Sequence, residues 1–207
     1  TILGQLISVG AIALIIVFQP ELRRFLQVIG MRQKHFNFIT RIFSTGDDTV
    51  QTNVVPIVTA CREMSETKTG ALIVIGQQSD LRLIAEGGIA LDAKVSTSLL
   101  KNIFFKNAPL HDGAVLIEGD RIVAAKCILP VTQSDVPKSY GTRHRAAIGM
   151  SEISDAIIIV VSEETGGISI AQGGELRRNI DPVRLQQTLQ RYLTINTRKR
   201  SKKEVAE

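Results

Sequence analysis

Three short stretches of this sequence set side chains capable of chemistry beside glycines that let a ligand come close. The first is Leu110-His111-Asp112-Gly113-Ala114. Asp112 can hold a divalent metal there, and it equally suits an Asx-type turn that opens a hairpin. The second, Gly141-Thr142-Arg143-His144-Arg145-Ala146-Ala147, sets two guanidinium groups around an imidazole at the predicted start of a helix. Helix N-terminal N–H groups and arginine forks together suit phosphate, although a solvated basic turn would have the same composition. The third is Ser162-Glu163-Glu164-Thr165-Gly166-Gly167. Its adjacent carboxylates can bind metal or act as a general base, and strand-exit turns also carry solvated glutamates. A carboxylate metal site, a phosphate clamp and a second acidic patch are together the parts of a phosphoryl or nucleotidyl transfer site.

Other routes to such chemistry are missing from the sequence. It contains no Gly-x-x-x-x-Gly-Lys-Ser/Thr, no Gly-x-Gly-x-x-Gly after a strand, no His-Glu-x-x-His and no Gly-x-Ser-x-Gly. P-loop, dinucleotide, zinc-protease and nucleophile-elbow readings therefore fail. Cys61 and Cys127 lie far apart and outside any Cys-x-x-Cys spacing, which argues for a reducing compartment and against a zinc or disulfide framework.

The elements that must position these clusters alternate in the manner of an α/β domain. Residues 49–66 are predicted helical despite Pro56. Ala71–Gly76 (ALIVIG) reads as a strand buried on both faces, with Leu81–Glu86 a candidate strand to pair with it. Ser96–Phe105 has Leu99, Leu100, Ile103 and Phe104 on one helical face behind a capping serine. Gly113–Glu118 and Arg121–Leu129 flank Gly119-Asp120 as a hairpin. Residues 141–150 start a helix, while Ala156–Ser162 and Gly167–Ala171 form a second hairpin around Gly166-Gly167. From Pro182, the spacing of Leu185, Leu189 and Leu193 predicts an amphipathic helix, followed by a charged, disordered tail from Arg198.

Composition bounds what these elements can serve. The 207 residues are 44% hydrophobic, enough for one compact domain with appendages. With 4% aromatic residues and no Trp, stacking platforms for single-stranded nucleic acid are unsupported. The formal charge of +5 is uneven: residues 21–41 hold five basic residues against Glu21, and residues 198–207 hold five against two acids, so the remaining chain carries −2. A basic average set by terminal segments is not the patch of a nucleic-acid-binding face. Ile2–Phe18 has no charged residue and 13 apolar residues of 17. As a helix, residues 1–20 would span roughly 30 Å, long enough to cross a bilayer. The basic residues Arg23, Arg24, Arg32 and Lys34 follow that run, which places the rest of the chain on the cytoplasmic side. A buried or interfacial helix is the other reading of the run.

The blocks Asn107–Ala114, Gly141–Gly149 and Ser162–Gly167 resemble those of the diadenylate cyclase (DAC) domain, over most of residues 50–175. The apolar run ending in Pro20-Glu21-Leu22-Arg23-Arg24 resembles the last transmembrane helix of the membrane-anchored CdaA class. The resemblance implies a central mixed β-sheet flanked by helices, behind a transmembrane helix at 1–20 and a juxtamembrane helix and linker at 21–48. The cyclase domain would occupy 49–195 and the charged tail 196–207. It implies condensation of two ATP into cyclic di-AMP with release of two pyrophosphates, dependent on Mg²⁺, Mn²⁺ or Co²⁺, by a face-to-face homodimer at the cell membrane. It also implies a cyclase regulator and a cell-wall precursor enzyme as partners, and no nucleic acid. Carried onto this sequence, Asp112, Arg143, His144 and Arg145 are the expected catalytic residues. Asp112, Glu164 and His111 are the expected metal ligands. The nucleotide would be held by Gly113, Ala114, Leu129, Gly141, Thr142, Arg143, His144, Arg145 and Ser162. One departure is Ile128, before Leu129-Pro130, where the family often has an aromatic residue near the adenine. The competing reading is a DAC-like module that binds ATP or cyclic di-AMP without catalysis; intact Asp112 and Arg143–Arg145 argue against it.

Overall fold

A computed structural model describes residues 53–204, and side chains through residue 193. The expected membrane helix at 1–20 and linker at 21–48 lie outside the described residues. Among those described, no helix is long and apolar enough to cross a membrane.

Helix α1 (Val54–Glu66) is capped by Asn53, whose side chain accepts the Val55 N–H. Pro56 falls in its first turn, where a missing N–H breaks no intrahelical bond. Then follow β1 (Ala71–Ile75), α2 (Arg82–Glu86), β2 (Ile89–Lys94), α3 (Thr97–Ile103), β3 (Ala114–Glu118), β4 (Arg121–Cys127) and α4 (Thr142–Ile153). The chain continues through β5 (Ile157–Val161), β6 (Ile168–Gln172), β7 (Glu175–Arg177) and α5 (Pro182–Glu204).

The seven strands form one mixed sheet in the order β2-β4-β3-β1-β5-β6-β7, with β1 and β3 parallel and the other neighbours antiparallel. Alternation in β1 explains the layers. Ile73 and Ile75 join Ile57 of α1, Leu100 of α3 and Leu185 and Leu189 of α5 in one core. Leu72 and Val74 join Ala147 and Met150 of α4 in the other. A strand covered on both faces cannot alternate polar with apolar, and β1 and β5 are accordingly buried at every residue. At roughly 2 kcal/mol for each large aliphatic side chain removed from water, these central strands dominate the stabilisation of the sheet.

Three expectations are corrected. Leu81–Glu86 is not a strand beside Ala71–Gly76: Arg82–Glu86 is helical, and the neighbours of β1 are β3 and β5. The Asp80 carboxylate accepts the Arg82 N–H at 3.1 Å and turns the chain, while buried Leu81 and half-buried Ile84 and Ala85 follow helical spacing. The edge strands β2 and β7, with no fully buried residue, are further additions to the expected elements. The helix from Pro182 runs on through Glu204 where a disordered tail was expected. That stretch is rich in Arg and Lys with no Gly or Pro, a composition that a helix accepts.

Candidate functional site

Strand direction brings the three clusters to one end of the sheet. Register pairs Ala71 with Val161, Ala114 with Cys127, and Val161 with Ile168. The starts of β1, β3 and β6 therefore lie beside the ends of β4 and β5. Asp112 and Gly113 precede β3, Ser162–Glu164 follow β5, and β1 runs between them. At about 4.8 Å per strand, Gly113 and Ser162 are roughly 10 Å apart.

Asp112 is exposed at the start of β3. Gly113 has φ +108°, and a Cβ there would lie 2.9 Å from the Cys127 carbonyl oxygen and the Lys126 carbonyl carbon, so only glycine fits beside β4. The Ala114 and Leu129 side chains are buried in the core. Ile128, the residue after β4, is 79% exposed. His111 lies within 2.6 Å of the Ala108 carbonyl through Nδ1. A carbonyl can only accept, so Nδ1 donates and Nε2 is the remaining ring position. Both free thiols are buried, and burial pushes Cys127 up to about 11 and Cys61 up to about 12.

The second cluster opens α4. Gly141 is an extended N-cap that supplies no side-chain cap, and the first helical bond runs from the Arg145 N–H to the Gly141 carbonyl at 3.1 Å. The N–H groups of Thr142, Arg143 and His144 thus precede the hydrogen-bond ladder at the positive end of a twelve-residue helix. Arg143, 23% exposed, places Nη1 2.7 Å from Glu163 Oε2, which ties the helix start to the end of β5. Gly70 makes room for this pair, since a Cβ there would lie 2.9 Å from both atoms. Arg145 is exposed and about 200° further round the helix from Arg143.

His144 is buried, 6% exposed, with its ring 5.8 Å from that of Tyr140. The guanidinium of Arg178 lies 5.1 Å above the Tyr140 ring. Loss of solvent, and then the charge of Arg178, lower the proton affinity of His144, while Glu164 opposes them. The imidazole is therefore neutral at pH 7. Because the unfolded chain binds this proton more tightly, the native contribution of neutral His144 is fully present above the unfolded pKa of about 6.5 and is lost as pH falls through the lower folded value. Urea unfolding at pH 7.5 and 5.5 is expected to show a smaller acid loss in His144→Gln than in the unaltered chain. An equal loss in both would remove His144 as its source.

Arg143 meets Glu163 and His144 feels Glu164, so the second and third clusters come together. The expected ligand set His111, Asp112 and Glu164 does not form a closed cage: among the described residues no three His, Cys, Asp or Glu side chains are grouped to hold a metal ion. An exposed carboxylate without such a cage suits Mg²⁺-type binding, in which one or two carboxylates share the ion with substrate oxygens and water. Ser162 Oγ accepts the Thr165 N–H at 3.2 Å and shapes the acidic turn. Gly70, Tyr140 and Arg178 escaped the sequence reading; Gly70 precedes a strand like many glycines, and Arg178 lies 34 positions beyond the His144 that it influences.

The fold is an α/β domain, one mixed seven-stranded sheet with helices on both faces and the three clusters gathered at one end. Residues 58–176 match the model of the DAC family, DisA bacterial checkpoint controller nucleotide-binding. The chain is 42% identical over 198 residues to the cyclic di-AMP synthase CdaA of Bacillus subtilis, covering 95% of this chain and 71% of that protein. The crystal structure of a double mutant of DacA from Staphylococcus aureus superposes with a TM-score of 0.67 at 43% identity, over 68% of this chain and 94% of that one. A protein from Bacillus cereus, described as hypothetical and membrane spanning, matches with a TM-score of 0.61 at 39% identity, over 81% of this chain and 80% of that one. The chain belongs to the DAC family.

Proposed function

We propose that this chain is a diadenylate cyclase, a nucleotidyltransferase that condenses two ATP into cyclic di-AMP and releases two pyrophosphates. In each half-reaction the 3′-oxygen of one ATP forms a bond to the α-phosphorus of the other, the bond from that phosphorus to pyrophosphate breaks, and the hydroxyl proton is lost. The observation that carries this reading is the shared sheet end, where Asp112 and Gly113 lie on one side of β1 and the Arg143–Glu163 pair on the other.

The residues divide the work by chemistry. The free N–H groups at the start of α4, with Thr142 and Arg143, hold phosphate oxygens and stabilise the charge that builds on the departing pyrophosphate. The exposed Arg145 adds positive charge at the helix start, and neutral His144 shapes the wall behind it. Gly113 and Ala114 offer backbone to the nucleotide, and Ile128 offers an aliphatic surface to the adenine. Asp112, with Glu164 and His111, would hold a divalent ion, which supplies charge neutralisation and a more acidic 3′-hydroxyl.

One chain presents one set of these groups, whereas the product needs two ATP molecules attacking each other in line. Two domains facing across a two-fold axis meet that need. Residues 1–20 would tether the enzyme to the cell membrane with its catalytic domain in the cytoplasm.

The test is incubation of the chain with ATP and Mn²⁺ over a range of protein concentrations, with products separated by chromatography and identified by mass. The expected result is cyclic di-AMP formed at a specific rate that rises with protein concentration. Product at a constant specific rate across dilution to well below any dimer constant would defeat the facing pair. ATP binding without product under any of Mg²⁺, Mn²⁺ or Co²⁺ would favour the non-catalytic sensor.

Arg143→Ala separates binding from folding. Losing charge-assisted hydrogen bonds worth roughly 1.5–3 kcal/mol should weaken ATP about 10- to 100-fold by calorimetry. Its partner Glu163 is 62% exposed, so the melting temperature should hardly change. Unaltered ATP affinity would remove Arg143 from the phosphate clamp.

A further inference from the structure

Beyond β6, the turn after β7 and the first turns of α5 enclose a cleft of about 360 Å³, within the size range of small-molecule sites. Arg177, Arg178 and Arg184 line it against a single carboxylate, Glu175. None of the three arginines forms an ion pair among the described residues. The nearby Asp181 directs Oδ1 to the Arg184 backbone N–H at 2.9 Å rather than to a guanidinium. Arg177, Arg178 and Arg184 stand exposed around one concavity, their charges repel one another, and a cleft lined mainly by one sign of charge concentrates counter-ions. Tyr192 adds an aromatic wall.

We infer that this cleft is a second anion site, separate from the strand-end site, that takes a small molecule bearing phosphate groups. Three positive charges against one negative suit a ligand carrying at least two negative charges, and arginine forks match phosphate oxygens in pairs. The enclosed volume suits a molecule no larger than a nucleotide, and Tyr192 gives an organic portion a surface to lie on.

The cleft is wired to the first site by Arg178, which lines it and whose guanidinium also lies over Tyr140, the ring neighbour of His144. Asn179, also in the lining, abuts the acidic turn: a Cβ on Gly167 would lie 2.9 Å from its Oδ1. An anion that neutralises Arg178 removes one of the influences that depress His144, so occupancy of the cleft is felt at the start of α4.

The test uses the full chain carrying Arg143→Ala, which weakens the strand-end clamp, titrated by calorimetry with ADP and separately with inorganic pyrophosphate. A saturable event should persist and weaken at least tenfold when Arg177→Gln and Arg184→Gln are added. The His144 imidazole signals in NMR spectra should move on titration in the first variant and stay still in the second. Tighter binding of ADP than of pyrophosphate would assign a contact to the organic portion, and equal binding would assign the site to phosphate alone. Arg177→Gln/Arg184→Gln with Arg143 intact should retain its ATP affinity, which shows that the fold survives. Absence of any saturable event in the first variant, or equal affinity in both, would overturn the inference. These readouts are binding and spectra, so they stand or fall independently of the cyclase reaction.

Discussion

Asp112→Asn is expected to cut the formation of cyclic di-AMP by about 10³-fold, on the scale of losing a principal charge-stabilising group in an active site. The substitution keeps the size of the side chain and removes only its charge. Asp112 is exposed and takes no part in the core, so the unfolding midpoint should shift by no more than about 0.5 kcal/mol equivalent. ATP affinity should fall far less than turnover if, as proposed, the α4 start and Arg143 hold the phosphates. Product formed at the unaltered rate would exclude the carboxylate from metal binding and from the approach of the 3′-hydroxyl. Loss of folding together with activity would show instead that Asp112 is needed for the turn into β3.

The largest effect on stability is expected at Gly149, in the buried face of α4. A Cβ there would lie 2.5 Å from both the Pro130 carbonyl oxygen and the Thr132 nitrogen, and 2.7 Å from the Val131 carbonyl carbon. All three are backbone atoms and cannot swing away as a side-chain tip would. The same segment is tied to the helix by the Thr132 N–H to the Arg145 carbonyl at 3.1 Å and by Thr132 Oγ1 to Glu152 Oε1 at 2.6 Å. Gly149→Ala must therefore push helix and segment apart against these bonds, at a cost of about 3 kcal/mol. For a domain of this size that is a fall in Tm of roughly 6–12 °C in calorimetry. Because α4 also carries Arg143, ATP affinity should fall with it. An unchanged Tm would mean that α4 does not sit against residues 130–132.

How much of this was readable in the sequence depended on burial. Ala71–Ile75 and Ile157–Val161 announce themselves because strands covered on both faces must be apolar throughout. The hairpins were visible in Gly119-Asp120 and Gly166-Gly167, where positive φ favours glycine. β2 and β7 were not, since an edge strand with exposed residues needs no pattern that composition reveals. Leu81–Glu86 misled because six residues are too few to separate helical from strand periodicity. At the site, residue types identified all three clusters, yet their pairing could not be read. Arg143 with Glu163 is fixed by β5 ending where α4 begins, and that follows from strand order. The neutrality of His144 was likewise hidden, because it arises from burial and from Arg178, a residue just beyond β7.

The sheet order also sets a schedule for synthesis. Among the described strands β1 is made first yet lies in the middle, and its hydrogen-bonding neighbours are β3 and β5. As the ribosome proceeds, Ala71–Ile75 emerges as a bare run of aliphatic residues. One edge stays open until β3 is made, and the other until Ile157–Val161 follows. Such a segment has the composition of a self-associating strand, and at 5–20 residues per second its second edge stays open for several seconds. The domain cannot close its sheet until most of it has left the ribosome, which makes nascent β1 the segment most in need of a holding chaperone.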